Sequence, residues 1–296
     1  MIIKTGTLWE LLVRTTEHAL HIKALLPVPT QYTFIEDGGI RFLVRILANI
    51  ARKQHEVATG AGKIADPFLP PEKELTVADI SNTHLAVLNK FNVLKHHLLI
   101  VTRQFEDQEV LLTPNDFEAL WLCMAEFNGL AFYNGGRTGG ASQNHKHLQI
   151  IPLPFTADGP AIPIEPALGQ SRANEISAVP RFPFLHSFVR LDRRLVSSPI
   201  EAAKKTFDLY CAMLADGGMT APSASGLTRQ SMPYCFLITR DWMLLVPRSK
   251  EFFEDISLNS LAYAGSFFVW NEQQLETLKN HGPMKVLAGV ALPKHI

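Results

Sequence analysis

The sequence predicts an α+β fold in which antiparallel strands are flanked by helices. Helical spacing with clear start signals, pairs of short apolar runs split by turn residues, and the lack of a regular strand-helix-strand alternation predict it. A chain of 296 residues, 47% of them hydrophobic, supplies a core for one large domain or two smaller ones.

Apolar residues Leu8, Leu11, Leu12 and Leu20 follow Thr7 at helical spacing, which predicts a helix over 8–25 that stops before Pro27. Strands are expected at 31–36 and 41–48 around the Asp37-Gly-Gly39 turn, and at 85–91 and 98–102 as neighbours in one sheet. Thr113-Pro-Asn-Asp116 offers an N-cap, a first-turn proline and an early acid, so a helix should run from there to about Leu130. Residues 152–183 contain seven prolines and no sustained period, which reads as a long connection. Beyond it, helical spacing at 201–214, paired strands at 234–239 and 242–247, and helices at 257–264 and 272–280 complete the chain.

Charge and cysteine usage narrow the function. Lys plus Arg equal Asp plus Glu at 28 each, so no long-range field favours nucleic acid or an anionic membrane, and any recognition of phosphate must be local. Cys123, Cys211 and Cys235 are far apart and form no C-x-x-C pair, which excludes a disulfide framework and a cysteine zinc site and fits a reducing cytoplasm. The start, Met1-Ile-Ile-Lys-Thr-Gly, lacks the charged-then-apolar pattern of a leader, and no uncharged stretch reaches the roughly 20 residues that span a bilayer. A cytoplasmic protein is expected.

The chemistry concentrates in Ser142-Gln-Asn-His-Lys-His-Leu-Gln-Ile-Ile151. In an extended strand His145, His147 and Gln149 line one face while Leu148 and Ile150 bury on the other. The spacing alone also suits paired surface histidines or a metal strand, but Gln149 is a poor third zinc ligand and a good amide donor to a phosphate oxygen. No metal site is assigned. Histidine, with an unperturbed pKa near ~6.5, is largely neutral at pH 7 and can attack phosphorus to give a reactive phosphoramidate. His147, central in the row, is the expected nucleophile, with its second ring nitrogen held by a carbonyl or hydroxyl.

Upstream, Gly135-Gly-Arg-Thr-Gly-Gly-Ala-Ser-Gln143 has the small residues for close backbone approach to anionic oxygens, with Arg137, Ser142 and Gln143 as side-chain donors. A structural hairpin turn would look alike, and the loop matches neither a Walker loop nor a dinucleotide fingerprint. Asn89-Lys90 interrupts an apolar strand, which fits either a strand end in water or a lysine reaching a site. Lys53 carries the same ambiguity. His96-His97 reads as a solvated turn, and His18 with His21 as an exposed helix face.

Tyr133-Asn-Gly-Gly and Ser142-Gln-Asn-His-Lys-His-Leu-Gln149 resemble the diadenosine tetraphosphate phosphorylases, the ATP adenylyltransferase branch of the histidine triad superfamily. Val87-Leu-Asn-Lys-Phe91, His97-Leu-Leu-Ile-Val-Thr102, Trp242-Met-Leu-Leu-Val-Pro-Arg-Ser249, Glu272-Gln-Gln-Leu275 and Gly282-Pro283 are similar to that family too. The resemblance implies a histidine-triad-like antiparallel sheet flanked by helices, with a second related half in the same chain. The boundaries then fall at 1–155 for a catalytic half, 156–183 for the proline-rich connection and 184–296 for the second half. It also implies a two-step nucleotidyl transfer: the nucleophile takes the adenylyl group from a diadenosine polyphosphate and passes it to phosphate, giving ATP and ADP.

On the matching positions His147 is the nucleophile, with His145 and Gln149 beside it. Lys53, Asn89, Lys90, Asn134, Gly140, Ala141, Ser142, Gln143 and Gln149 are implied substrate contacts. Tyr234 and Arg240 are candidates from the second half, where Pro233-Tyr-Cys235 replaces the family's Ser-Tyr-Asn. Superfamily hydrolases carry a third histidine where Gln149 stands, so the glutamine points to an acceptor such as phosphate instead of water. No tightly bound cofactor is expected; a divalent cation, Mg or Mn, would accompany the polyphosphate. Neither nucleic acid nor membrane is an expected partner, and a monomer is expected. Two alternatives stay open here: a hexose-1-phosphate nucleotidyl transferase, which shares the H-x-H-x-Q arrangement, and a non-enzymatic sensor of adenosine polyphosphates.

Overall fold

A computed structural model describes residues 3–47, 66–222 and 226–294. Its elements, in chain order, begin with α1 (Leu8–His21), β1 (Thr30–Asp37), β2 (Ile40–Leu47), β3 (Thr76–Asp79), β4 (His84–Leu88) and β5 (Leu98–Thr102). Next come α2 (Pro114–Glu126), β6 (Gly129–Gly135), β7 (His147–Pro152), β8 (Ile176–Ser177), β9 (Ser187–Arg190) and α3 (Pro199–Asp216). The chain continues through β10 (Tyr234–Ile238), β11 (Trp242–Pro247), β12 (Phe252–Phe253), β13 (Ile256–Ser257) and α4 (Ser260–Tyr263). It closes with β14 (Ser266–Val269), α5 (Glu272–His281) and α6 (Pro283–Ala288).

One antiparallel sheet of nine strands, in the order β3-β4-β5-β7-β6-β10-β11-β9-β8, forms the centre. Both of its faces are covered. Leu148 and Ile150 of β7, Tyr133 of β6 and Tyr234, Phe236 and Ile238 of β10 pack under α1, α2 and α3. The alternate residues, among them Phe132, Ile151, Cys235, Leu237, Leu244 and Val246, pack under the small sheet β1-β2-β14 and the helices α4 to α6. Period-two alternation thus assigns His147 and Gln149 to the small-sheet face and Lys146 to the helical face.

The expected mixture of helices and antiparallel strands is found, and the differences have physical causes. The first helix ends at His21, and Leu25 turns back into the core. The N-cap at Thr113 forms as read, with Asp116 closing a capping box, but α2 stops at Glu126 and β6 begins at Gly129. Every residue of β6 is buried, so it shows no alternation to separate it from a buried helix. The same double burial hid β9 and β14, while β3 and β8 are short edge strands of the large sheet. Residues 156–183 are no loose connection: Ile162, Ile164, Leu168, Val179 and Phe182 enter the core and Ile176–Ser177 pairs with β9. At 257–264 only the single turn Ser260–Tyr263 is helical, capped by the Asn259 side chain.

Helices α2 and α3 are joined at their centres by Trp121, whose fully buried indole donates to Thr206 Oγ1 at 2.8 Å. Trp121→Ala removes this packing and leaves a buried hydroxyl short of a partner. It should lower stability by about 3–5 kcal/mol in urea unfolding, the range for truncating a large buried aromatic. A loss under about 1 kcal/mol would show that the two helices hold together without it.

Candidate active site

His147 opens β7, is 4% exposed, and is fixed by a bond that decides its chemistry. Its Nδ1 lies 2.8 Å from the carbonyl oxygen of His145, which can only accept, so Nδ1 carries the proton and Nε2 presents a lone pair. Among the described residues no side chain or carbonyl engages that Nε2. Burial pushes the His147 imidazole down to about 4, the bond to the His145 carbonyl partly offsetting it, so the ring is neutral at pH 7. The second ring nitrogen is held by a carbonyl, as the sequence reading expects.

His145 is differently placed. It precedes β7 as a lone bridge residue paired with Asp107, and both of its ring nitrogens face oxygen. Nδ1 is 2.7 Å from Asp66 Oδ2, and Nε2 is 2.8 Å from Thr102 O and 2.9 Å from Thr102 Oγ1. With both nitrogens against oxygen, neither is open to a ligand. Phe68 stands against both rings, its centroid 5.6 Å from each.

Gln149 is held by a chain of bonds whose direction is fixed from one end. The Phe91 N–H donates to Asn89 Oδ1, which turns Asn89 Nδ2 towards His97 Nδ1 at 3.2 Å. His97 must then carry its proton on Nε2, which donates to Gln149 Oε1 at 2.9 Å. The Gln149 amide is left to present its NH₂ group, a donor-only surface suited to an anionic oxygen. Burial holds the His97 imidazole down at about 4, so it stays neutral and keeps this tautomer. His97, read from the sequence as a solvated turn, is therefore a buried member of the site. Its place at the start of an apolar run, beside Asn89 across the hairpin, was the available sign. His96 is buried as well, with Nδ1 3.0 Å from Thr16 Oγ1.

The strands β6 and β7 part beyond the Phe132 and Gln149 pair, and a side chain fills the gap. Gln108 accepts from His147 N–H at 2.8 Å and donates to Asn134 O at 3.0 Å and His147 O at 3.2 Å. It stands in for the missing rungs of the ladder. No motif marked it.

The glycines of the loop serve packing first. A side chain on Gly139 would begin 2.8 Å from Tyr234 O, and one on Gly140 would begin 2.6 Å from Asn259 Cβ, where φ is also +96°. The amides of Gly139, Gly140 and Ala141 donate inside the turn, to Gly136 O and Arg137 O, so a ligand does not meet them there. Ser142 is exposed and Gln143 half-buried at the rim. Arg248, 2% exposed, anchors the loop from behind by donating to Gly139 O, Leu258 O and Val290 O and to Cys235 Sγ. Asn134 turns its Oδ1 to the Ser260 N–H at 3.0 Å, tying the loop to α4.

Three expected contacts are placed elsewhere. Lys90, just past the end of β4, pairs with Glu72 at 2.7 Å on the surface. Tyr234 lies on the helical face of the sheet, wholly buried, its hydroxyl 2.6 Å from Tyr210, because its parity on β10 is opposite to that of Cys235. Arg240 donates to Met124 O and Ala125 O at the end of α2, where a cation complements the helix dipole. Tyr234 and Arg240 are thus structural. Lys53 lies outside the described residues. Among the described residues no cluster of three metal-binding side chains occurs, and no helix is long and apolar enough to cross a membrane.

Residues 1–170 match the family described as Ap4A phosphorylase N-terminal domain, and residues 180–293 match the ATP adenylyltransferase C-terminal domain. Diadenosine 5',5'''-P1,P4-tetraphosphate phosphorylase 2 of Saccharomyces cerevisiae is 27% identical over 263 residues, 80% of this chain and 79% of that one. Protein APA1 of the same yeast is 25% identical over 268 residues, 83% and 81% of the two chains. The fold matches the crystal structure of yeast Ap4A phosphorylase Apa2 with a TM-score of 0.80 at 23% identity, covering 100% of this chain and 97% of the other. The Apa2 complex with Ap4A gives 0.79 at 22% identity, with 100% of both chains covered.

Two outcomes follow from the geometry. His97, His147 and His186 each sit at about 4 in the folded chain against an ordinary 6.5, so the unfolded chain takes up protons that the folded chain refuses. Their contribution is intact above pH 6.5 and is lost as pH falls towards 4. Unfolding free energies from denaturant titration should drop by on the order of 1 kcal/mol per group by pH 5; a flat profile between pH 7 and 5 would contradict their burial. Arg240→Ala should cost about 1 kcal/mol of stability through the lost cap, with KM and kcat unchanged. A raised KM would return Arg240 to the substrate.

Proposed function

Because the chain belongs to the Ap4A phosphorylase family, with the ATP adenylyltransferase C-terminal domain in its second half, we propose that it phosphorolyses diadenosine tetraphosphate to ATP and ADP through an adenylyl-histidine on His147. The observation that carries the reading is the Nδ1 proton of His147 bound to the His145 carbonyl at 2.8 Å, which leaves a neutral Nε2 as the attacking atom.

In the first step Nε2 attacks the α-phosphorus. The P–N bond forms, the bond from that phosphorus to the bridging oxygen breaks, and ATP leaves with the electron pair. The ring becomes cationic while its Nδ1–H still donates to the His145 carbonyl, which stabilises the charge. In the second step an oxygen of inorganic phosphate attacks the same phosphorus, the P–N bond breaks, and ADP leaves with His147 neutral again. The NH₂ of Gln149 holds a non-bridging oxygen throughout and cannot take a proton as a third histidine could, which favours phosphate over water as acceptor.

Asn89, Asn134, Ser142, Gln143 and Lys53 complete the substrate contacts in this reading, with Gly140 and Ala141 shaping the loop under the ligand instead of donating their amides to it, and Lys90 joins them if its pair with Glu72 opens to the polyphosphate. The sheet is of histidine-triad type, with a catalytic half at 1–155, the segment 156–183 and a second half at 184–296. The enzyme is a cytoplasmic monomer without a tightly bound cofactor, and a divalent cation arrives with the nucleotide.

Diadenosine tetraphosphate incubated with the protein should yield equimolar ATP and ADP only when phosphate is present. Phosphate-independent cleavage that releases AMP would mark a hydrolase and sink the reading. His147→Asn should lose about a thousandfold or more in kcat and all acid-labile adenylyl adduct, as removal of a nucleophile does; a UMP adduct from a uridine diphosphate sugar would indicate the hexose-1-phosphate reaction instead.

A further inference from the structure

Lys146 stands between the two histidines of the site and points the other way. Its side chain is 0% exposed, on a face where its strand neighbours are Leu148 and Ile150. The ammonium donates to Asp116 Oδ2 at 2.7 Å, Glu106 Oε2 at 3.1 Å and Leu111 O at 3.1 Å, one acceptor for each of its three protons. Asp116 is itself shared: its carboxylate also takes His84 Nε2 at 3.0 Å and both the N–H and the hydroxyl of Thr113 in the capping box of α2. A buried ion pair of this kind is seldom more stabilising than apolar residues of equal volume, so its presence here points to something other than stability.

What it fixes is the peptide that His147 depends on. The carbonyl of the His145–Lys146 peptide accepts the Nδ1 proton of His147, and the N–H of the same peptide donates to Glu106 O at 2.8 Å. Lys146 Nζ grips the Glu106 side chain and the first turn of α2, and so clamps both ends of the segment that this N–H rests on. We propose that Lys146, with Asp116, is a positioning residue for the nucleophile: the buried ammonium holds the His145–Lys146 peptide in the plane at which its carbonyl selects the Nδ1–H tautomer of His147. The apolar side chain that parity would place at 146 would leave that plane to the loop.

The inference rests on His147 as nucleophile, and the experiment separates the two. Lys146→Met and Asp116→Asn, the second keeping the shape and a capping oxygen, are compared with the parent by steady-state phosphorolysis and by long-range ¹H–¹⁵N spectra of the histidine rings, with His147 assigned through His147→Asn. The parent should show His147 protonated at Nδ1 alone. Each variant should show both tautomers and a kcat about tenfold lower, with KM within twofold, as expected of a displaced reacting atom. A merely structural role would lower the melting temperature and leave the tautomer and kcat as they were. That result in either folded variant overturns the proposal; if Lys146→Met does not fold, Asp116→Asn decides alone. A parent that lacks phosphorolysis, with variants that still show the tautomer change, refutes the proposed reaction and leaves the positioning role standing.

Discussion

The hydrogen bond from His147 Nδ1 to the His145 carbonyl is short in sequence and long in consequence. The imidazole reaches back to the carbonyl of the residue next but one before it, at the start of β7. The ladder between β6 and β7 ends at the Phe132 and Gln149 pair, and the break has to be closed by something that both donates and accepts. Gln108 does this with one amide, which in turn draws the 106–108 segment against 144–146. Much of the surrounding polar structure is the cost of burying that break without leaving a backbone group unpaired.

The two faces of the central sheet divide the work. On the helical face, packing is dense and aromatic, with Phe117, Tyr210 and Phe236 in mutual ring contact and Tyr133 linked to Tyr210 through Tyr234, and the buried Lys146 is fully partnered. On the other face the strands give up polar side chains in register: Val101 beside His147, and Leu99 and Phe132 beside Gln149. Val101 across the ladder and the Phe68 ring against it help to keep the imidazole dry and uncharged. The same environment that holds His147 neutral also makes the fold sensitive to acid.

The sequence made the reactive strand legible because its polar residues break an apolar run at a fixed period of two. The N-cap at Thr113 and the paired strands at 234–239 and 242–247 were legible for a similar reason: local chemistry announces them. What could not be read was set by distant partners. β6 looks like a continuation of α2 until one knows that both its faces are covered. Arg240 looks like a substrate cation until the end of α2 is seen beside it. His97 looks solvated because its partners, Asn89 and Gln149, come from two different strands. The loop glycines invite a phosphate reading, yet it is Tyr234 and Asn259, far along the chain, that leave no room for a side chain.

The pairing of β6 with β10, Gly135 opposite Tyr234, makes one sheet of two stretches of chain that synthesis delivers far apart. Long-range strand pairs of this kind close late, after the entropy of a large loop has been overcome. During translation the histidine strand and its first neighbours emerge well before Arg248 and Asn259, the residues that seat the loop beside them. A nascent chain therefore holds the His147 imidazole beside an unseated loop. The loop takes its place only when the last third of the polypeptide has been made.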